Sequence, residues 1–511
     1  MMHALVIGAA AARGATRLPR LLNPPIDYHA IAPELVMAGT LFTVLFVDLF
    51  LPRERKWQAM PLAFVGTAGS FAATLTLIGS HRVTFGGMFV VDNYAILFKL
   101  FFTTVAMVVL LLSLRYFREG RYYQGEYYFL LLCSFLGMMT MPSSRDFLML
   151  FISLELVSAP AFLLAGFRKS DPRSNEAAIK FFLISVLSTA VMLYGMSLIY
   201  GVTGSTRLSV IAHKLSGPAG SSNLALAAIL FVVAGFAFKV SAFPFQFWAP
   251  DTYEGAPVPV AAFLSVASKA AGFAGLLQIM FVGFLPRADF WAPIFAVLAV
   301  FTMTLGNLVA LQQRQVVRLL AYSSIAQAGY MLLPFALAVP ASSSVANVNR
   351  EAFAATVLYI MIYAVMNLGA FAVVIAMARE APGILVSDFA GFAARAPMLA
   401  VPMALFLVSL AGVPPTAGFW GKLFIFKAAI SRGGVGPWLA IAMVVNSVIS
   451  LVYYISIARP MFAEPLAEPV RPLRTSFALN AVVVLAAAGV LALFVYPDLF
   501  AHFPPLSTLV K

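Results

Sequence analysis

The chain has 511 residues, 62% of them hydrophobic and 10% charged, with a mean hydropathy of +0.94. Soluble domains hold roughly 45 to 50% apolar residues, so the composition leaves an integral membrane protein as the class. The net charge of +13 sits in short segments between apolar runs rather than on a nucleic-acid-binding face, and the single cysteine, Cys133, excludes an internal disulfide or a cysteine-ligated cluster.

Residues 1–29 open with MMHALVIGAAAARGATRLPRLLNPP, which includes Arg13, Arg17 and Arg20. This segment resembles a short basic, alanine-rich leader without a convincing cleavage context, and it reads as an N-terminal extension. Apolar runs near the ~20 residues that cross a hydrocarbon core follow at about 30–51, 60–80, 93–115, 123–141, 145–167, 176–200 and 224–246. They continue at about 257–282, 291–311, 316–339, 352–379, 398–428, 435–460 and 475–497. Residues 30–500 therefore read as a single all-α polytopic membrane domain of about 14 transmembrane helices. Loops after odd-numbered spans hold most of the basic residues, among them Arg53, Arg55, Lys56, Arg115, Arg118, Arg168, Lys169, Arg173 and Arg459. The positive-inside rule puts those loops in the cytoplasm and both termini on the non-cytoplasmic side.

Two spans carry prolines that interrupt them. The seventh contains Pro244, and the twelfth contains Pro414 and Pro415. Proline lacks the backbone donor and clashes with the preceding turn, so both helices are expected to break inside the membrane, where broken backbone survives only against protein or a watery cavity. The breaks lie five spans apart. Paired interruptions at corresponding positions predict two five-helix repeats of inverted topology, at about 123–282 and 291–460, with helices 7 and 12 broken.

Four ionisable residues fall within these spans: Glu155 in span 5, Lys239 in span 7, Lys269 in span 8 and Lys422 just beyond the second break. A charge at the bilayer centre costs roughly 2.5 to 3.5 kcal/mol on insertion scales, so four such residues point to a route for charge. Burial works against an ammonium and a nearby carboxylate works for it, so a lysine that approaches or leaves Glu155 exchanges a proton. In chain order Glu155, Lys239, Lys269 and Lys422 form a predicted proton relay along the membrane plane. Lys180 and Lys427 lie at span ends and are expected to snorkel, while Lys99 and Asp48 are intermediate cases. Asp251 and Glu254 are expected to form a solvated or partner-facing acidic turn. The five histidines, His3, His29, His81, His213 and His502, fall at loops or ends, and no metal-ligand pattern is present.

The runs SLELVSAPAFLLAGF, FAFKVSAFPFQFWAPDTYEGAPVPVAAFLSVASKAAGFAG and LAGVPPTAGFWGKLFIF resemble the antiporter-like membrane subunits of respiratory complex I, the NADH-quinone oxidoreductase. The resemblance covers about residues 30–500. The sister branches L and M carry a histidine where this chain reads Val260-Ala261-Ala262-Phe263-Leu264-Ser265, M has a glutamate where it has Lys422, and the long lateral helix of L is missing; the likeness is thus to the N-type branch. It implies proton translocation driven by electron transfer from NADH to quinone, with the family's relay positions falling on Glu155, Lys239, Lys269 and Lys422. No cofactor is implied in this chain; NADH, FMN, iron–sulfur clusters and quinone would belong to partner subunits. The implied partners are other complex I membrane subunits, the antiporter-like M and the K/J side, in a bacterial cytoplasmic (inner) membrane, with no nucleic acid. Two other readings stay open: a subunit of a multi-subunit cation/proton antiporter, which shares the fold and several of these residues, and a stand-alone solute transporter.

Overall fold

In hydrocarbon every backbone N–H needs an acceptor within its own segment, which is why the apolar runs of this chain fold as helices. A computed structural model describes residues 26–119, 124–340, 346–381, 383–465, 473 and 475–497. Residues 1–25 of the extension and 341–345 of the loop after span 10 lie outside the described residues. The chain starts with α1 (Ala32–Phe50) and α2 (Ala59–Leu75), then a small antiparallel hairpin, β1 (Arg82–Thr84) and β2 (Phe89–Val91), with Arg82 opposite Val91. The spacing of apolar residues did not mark this hairpin. It is tied down by Arg82, which donates to Asp27 at 2.9 Å.

Then come α3 (Asn93–Glu119), α4 (Gln124–Thr140), α5 (Phe147–Ala165) and α6 (Pro172–Thr203). Asp146 and Asp171 cap α5 and α6 by accepting from the N–H groups of Leu148 and Arg173, and Pro172 occupies the first turn of α6, where no N–H is needed. A short helix, α7 (Leu208–Leu215), lies in the connection between spans 6 and 7, and Ser222 then caps α8 (Asn223–Lys239). The chain breaks after Lys239 and resumes as α9 (Trp248–Gly255), with Pro244 in the gap. Next are α10 (Val258–Gly283), α11 (Ala288–Ala310), α12 (Val316–Leu332) and α13 (Ala346–Met377). The second broken pair is α14 (Pro397–Ala411) and α15 (Ala417–Arg432), with Gly412, Pro414 and Pro415 between, followed by α16 (Gly436–Ala463) and α17 (Phe477–Val495).

Among the described residues ten helices are long and apolar enough to cross a membrane, and the half-helices α8 and α14 are shorter apolar segments. Each of the expected spans holds a helix. The two halves pack alike: α4 lies against α5 and α6 against α8, as α11 lies against α12 and α13 against α15. Helix α10 is buried along its whole apolar stretch, α12 and α13 nearly so, whereas α6 and α17 expose most of theirs. The centre of the molecule is therefore α10, α12 and α13. Helix α10 also contains two π turns, Leu264–Ser268 and Ile279–Gly283, the first ending directly before Lys269.

Candidate functional site

Lys239, Lys269 and Lys422 are 3%, 2% and 6% exposed, so all three ammonium groups lie inside protein at membrane depth. Among the described residues none of them forms an ion pair, and each is held by neutral oxygens. Lys239 is the last residue of α8 and donates to the Ser158 hydroxyl of α5 at 2.9 Å. Lys269 donates to the Ser324 carbonyl at 2.8 Å and to the Ser324 hydroxyl at 2.5 Å, both on α12. Lys422 reaches back from α15 to the Ala411 carbonyl, the last of α14, at 2.8 Å, and its ammonium lies 4.5 Å from the Tyr330 ring centre. Two of the lysines thus sit at the C-terminal end of a half-helix, where the unpaired carbonyls and the helix dipole favour a cation. In α8 the lysine belongs to the half-helix itself; in α14 it is supplied by the following half. That symmetry is physical, because the sequence offsets of the two lysines from their prolines differ.

Glu155 is half-buried on α5, one turn before Ser158. Among the described residues it forms no ion pair with Lys239, and its Oε1 has no hydrogen-bond partner. Gly272, one turn beyond Lys269 on α10, lies against the Lys239 stem: a Cβ there would stand 3.0 Å from Cγ. The structure therefore brings Glu155, Lys239 and Lys269 into one neighbourhood. Lys422 lies in the other half.

Between Lys269 and Lys422 runs a polar seam that the charge-based reading did not include. Ser324, Gln327 and Tyr330 recur at three-residue spacing along α12. The Gln327 amide donates to the Leu410 carbonyl at 3.0 Å and to the Tyr454 hydroxyl at 3.1 Å, and its oxygen accepts from Tyr359 at 2.5 Å. Ser323 shares a 2.6 Å hydrogen bond with Tyr454. Leu410 adjoins Ala411, the acceptor of Lys422, so the seam starts at one lysine and ends at the residue beside the other's acceptor. Asn307 extends it, donating to the Tyr330 hydroxyl at 3.3 Å and to Asn446 Oδ1 at 3.1 Å, and accepting from Tyr453 at 3.0 Å. The spacing of Ser324, Gln327 and Tyr330 in an otherwise apolar span was the available signal.

Asp251 and Glu254 are not a free acidic turn. Arg318, from the start of α12, reaches both carboxylates at 2.8 Å, and Lys180 of α6 pairs with Asp251 at 3.0 Å and with Glu176 at 2.7 Å. The Asp251 and Glu254 side chains stay 33% and 34% exposed, and Arg318, the cation that reaches both, lies far along the chain. Asp48 pairs with Lys56 at 2.7 Å, and Lys99 is fully buried against Glu34 at 2.8 Å. Arg145 joins Asp92 at 2.6 Å and also donates to Gln278 of α10. These pairs are structural ties between α1 and α3 and between the hairpin region and α10.

A family model described as NADH:quinone oxidoreductase/Mrp antiporter, TM, matches residues 144–450, which hold both broken helices and all three lysines. The chain belongs to this family. Among relatives of this antiporter-like subunit, NADH-quinone oxidoreductase subunit N of Trichlorobacter lovleyi is 38% identical over 94% of this chain and 96% of its own. Subunit N 2 of Symbiobacterium thermophilum is 41% identical over 97% and 99%. A chain in the structure of respiratory complex I from Thermus thermophilus with bound aureothin is similar, with a TM-score of 0.75 and 29% identity over 93% of this chain and 99% of that one. A chain of the Mrp complex from Dietzia sp. has a TM-score of 0.81 at 21% identity over 94% and 96%, a likeness of fold alone.

One consequence for the antiporter-like subunit follows from Gly412, whose φ of 87° lies in the left-handed region and whose Cβ, if it had one, would stand 2.6 Å from Lys422 Cδ. Gly412→Ala is expected to lower stability by about 1 to 2 kcal/mol through the backbone alone and to push the lysine off the Ala411 carbonyl. Thermal denaturation and a structure of the variant check this; an unmoved Lys422 with unchanged stability refutes it.

Proposed function

We propose that this chain is the N-type, proton-translocating membrane subunit of an NADH-quinone oxidoreductase. Electron transfer from NADH to quinone takes place in partner subunits, which hold the FMN, iron–sulfur clusters and quinone, and this chain moves protons across the bacterial cytoplasmic membrane. Residues 30–500 act as one domain with repeats at about 123–282 and 291–460 and with both termini on the non-cytoplasmic side. Its neighbours in the membrane are the antiporter-like M subunit and the K/J side.

The observation that carries the mechanism is the trio of buried lysines held by neutral oxygens, with the polar side chains of Ser324, Gln327 and Tyr330 spaced along α12 between Lys269 and Lys422. An ammonium compensated by hydroxyls and carbonyls rather than by a carboxylate keeps its proton exchangeable, because losing it strands no anion. Glu155 lies on α5 one turn before Ser158, the acceptor of Lys239, so a movement of α5 against α8 changes how firmly Lys239 holds its proton. Release runs from Lys239 to Lys269 and on to Lys422, and reprotonation comes from the cytoplasmic side. Moving one charge against 100 mV requires about 2.3 kcal/mol, within reach of a change in one such interaction at low dielectric. Among the described residues the buried Glu155 Oε1 and Asn367 Oδ1 have no hydrogen-bond partner and suit ordered water, which transfers protons.

The test is to tag the chain in its host, solubilise the membrane mildly and separate complexes on a native gel. Co-migration with NADH-oxidising activity in a very large assembly is expected. Migration in a smaller assembly without that activity overturns the assignment in favour of a cation/proton antiporter.

A further inference from the structure

Asn367 is fully buried on α13, a helix nearly all of whose apolar stretch lies inside the protein, and among the described residues it bonds to none of the three lysines. Its amide nitrogen donates to the Ser265 hydroxyl at 2.8 Å, and Ser265 in turn donates to the Ala262 carbonyl at 2.9 Å. Ser265 is the second residue of the π turn Leu264–Ser268 in α10, and Lys269 follows that turn directly. Among the described residues this is the side-chain hydrogen bond that ties the turn to another helix; Leu264, Val266 and Ala267 offer only apolar side chains.

Two observations set Asn367 apart from an ordinary tie between helices. The first is its Oδ1, which is buried and has no hydrogen-bond partner among the described residues. A leucine has the same branching and leaves no acceptor unsatisfied, so packing alone does not call for an amide here, and the donor is what the position uses. The second is its footing. Met366, beside it, accepts from the Ser409 hydroxyl at 2.8 Å, and Ser409 accepts from the Gly418 N–H at 3.1 Å across the second helix break. A Cβ at Gly369 would stand 2.4 Å from Phe406, so α13 and α14 pack closely there, and Asn367 projects from a stretch of helix that is itself held in place. The turn it reaches needs such a hold. π winding is rare and occurs as single turns, and relaxation to α winding would carry Lys269 about 100° around the axis relative to the residues before it.

We propose that Asn367 is a positioning residue for proton transfer at Lys269: by donating to Ser265 it holds the π turn, and the turn aims the ammonium at Ser324. The inference rests on the relay reading of Lys269 and adds to it a residue that never touches the proton. Proton transfer needs hydrogen-bond reach, which Lys269 has at 2.8 Å and 2.5 Å to the Ser324 carbonyl and hydroxyl. Misplacement by about 1 Å slows a positioned step by roughly 100-fold, so a slackened turn stops the relay without removing a charge.

The experiment compares Asn367→Leu, Ser265→Ala and Lys269→Met in the intact complex, reading protons moved per NADH in sealed vesicles, the melting temperature, and the place of Lys269 in a structure of each assembled variant that keeps it. Asn367→Leu removes the donor and the unpartnered acceptor together, so the complex is expected to assemble and to melt no lower than wild type. Its protons per NADH should nevertheless fall to the level of Lys269→Met, as a transfer slowed about 100-fold requires, with the Lys269 ammonium displaced from Ser324. Ser265→Ala breaks the same bond from the other side and should give the same ratio, and the double variant should be no worse than either single one. A merely structural bond would lower the melting temperature and leave both the ratio and the lysine where they are. A wild-type ratio in Lys269→Met removes that lysine from the relay and overturns the proposal together with that reading. A lowered ratio in Lys269→Met beside a wild-type ratio in Asn367→Leu or Ser265→Ala, a Lys269 still bonded to Ser324 in those variants, or failure of both to assemble overturns the positioning role alone.

Discussion

Lys239→Ala is expected to yield a complex that assembles and oxidises NADH but moves protons through this chain roughly two orders of magnitude more slowly, the usual contribution of one positioned proton-transfer group. Assembly survives because the substitution leaves no hydrogen-bond partner of Lys239 unpaired. Ser158, which accepts from Lys239, also donates to the Leu154 carbonyl at 2.6 Å, so its hydroxyl stays bonded when the lysine is gone. The cost that remains is a cavity where the stem lay, and large-to-small core changes cost about 2 to 5 kcal/mol. Lys239→Met separates the two effects, since it restores the stem and still lacks the proton. NADH-driven acidification of sealed vesicles, read against NADH consumed, is the measurement. A proton-to-electron ratio equal to wild type in both variants would remove Lys239 from the mechanism.

Gln327→Leu should act almost as strongly without altering any charge. Gln327 is buried, and it links Tyr359, Tyr454 and the Leu410 carbonyl. Leucine fills most of the volume but leaves the Tyr359 hydroxyl and the Leu410 carbonyl without a partner, at about 1 to 3 kcal/mol for each buried group. The complex is therefore expected to denature at lower temperature and to lose translocation beyond Lys269. Tyr359→Phe removes one donor of the same contact and should show a smaller loss of both. If both variants pump at the wild-type ratio, the seam on α12 is packing and protons reach Lys422 another way.

What the sequence disclosed and what it hid divide along a physical line. Pro244, Pro414 and Pro415 declare broken helices because an imino nitrogen cannot donate wherever it sits, and Lys239, Lys269 and Lys422 stand out because charge is costly in any apolar span. Both properties are local to a residue. The partnership of Arg318 with Asp251 and Glu254 depends on α12 arriving beside α9, and the burial of Lys99 against Glu34 depends on the first turn of α1 reaching α3, so neither is written in a neighbouring residue. The tyrosines were hidden for another reason. Tyr330, Tyr359 and Tyr454 read as bulky core residues in an apolar run, and only the fold shows that their hydroxyls converge on Gln327 and its neighbours. That Lys239 ends its half-helix and Lys422 reaches back across a gap to do the same became visible only with the backbone in place.

The π turn at Leu264–Ser268 sets the azimuth of Lys269. Such a turn holds one residue more than the α turn it replaces, so everything after it is advanced by one position, about 100° around the axis, relative to an unbroken helix. Lys269 faces Ser324 by virtue of that surplus residue, while Val258–Phe263 ahead of it keeps its own facing. The same residues wound as an unbroken α-helix would leave composition and hydropathy untouched and still aim the lysine about 100° away, at a different neighbour. In this helix counting matters as much as chemistry, and relatives are best aligned outward from the π turn rather than from the helix ends.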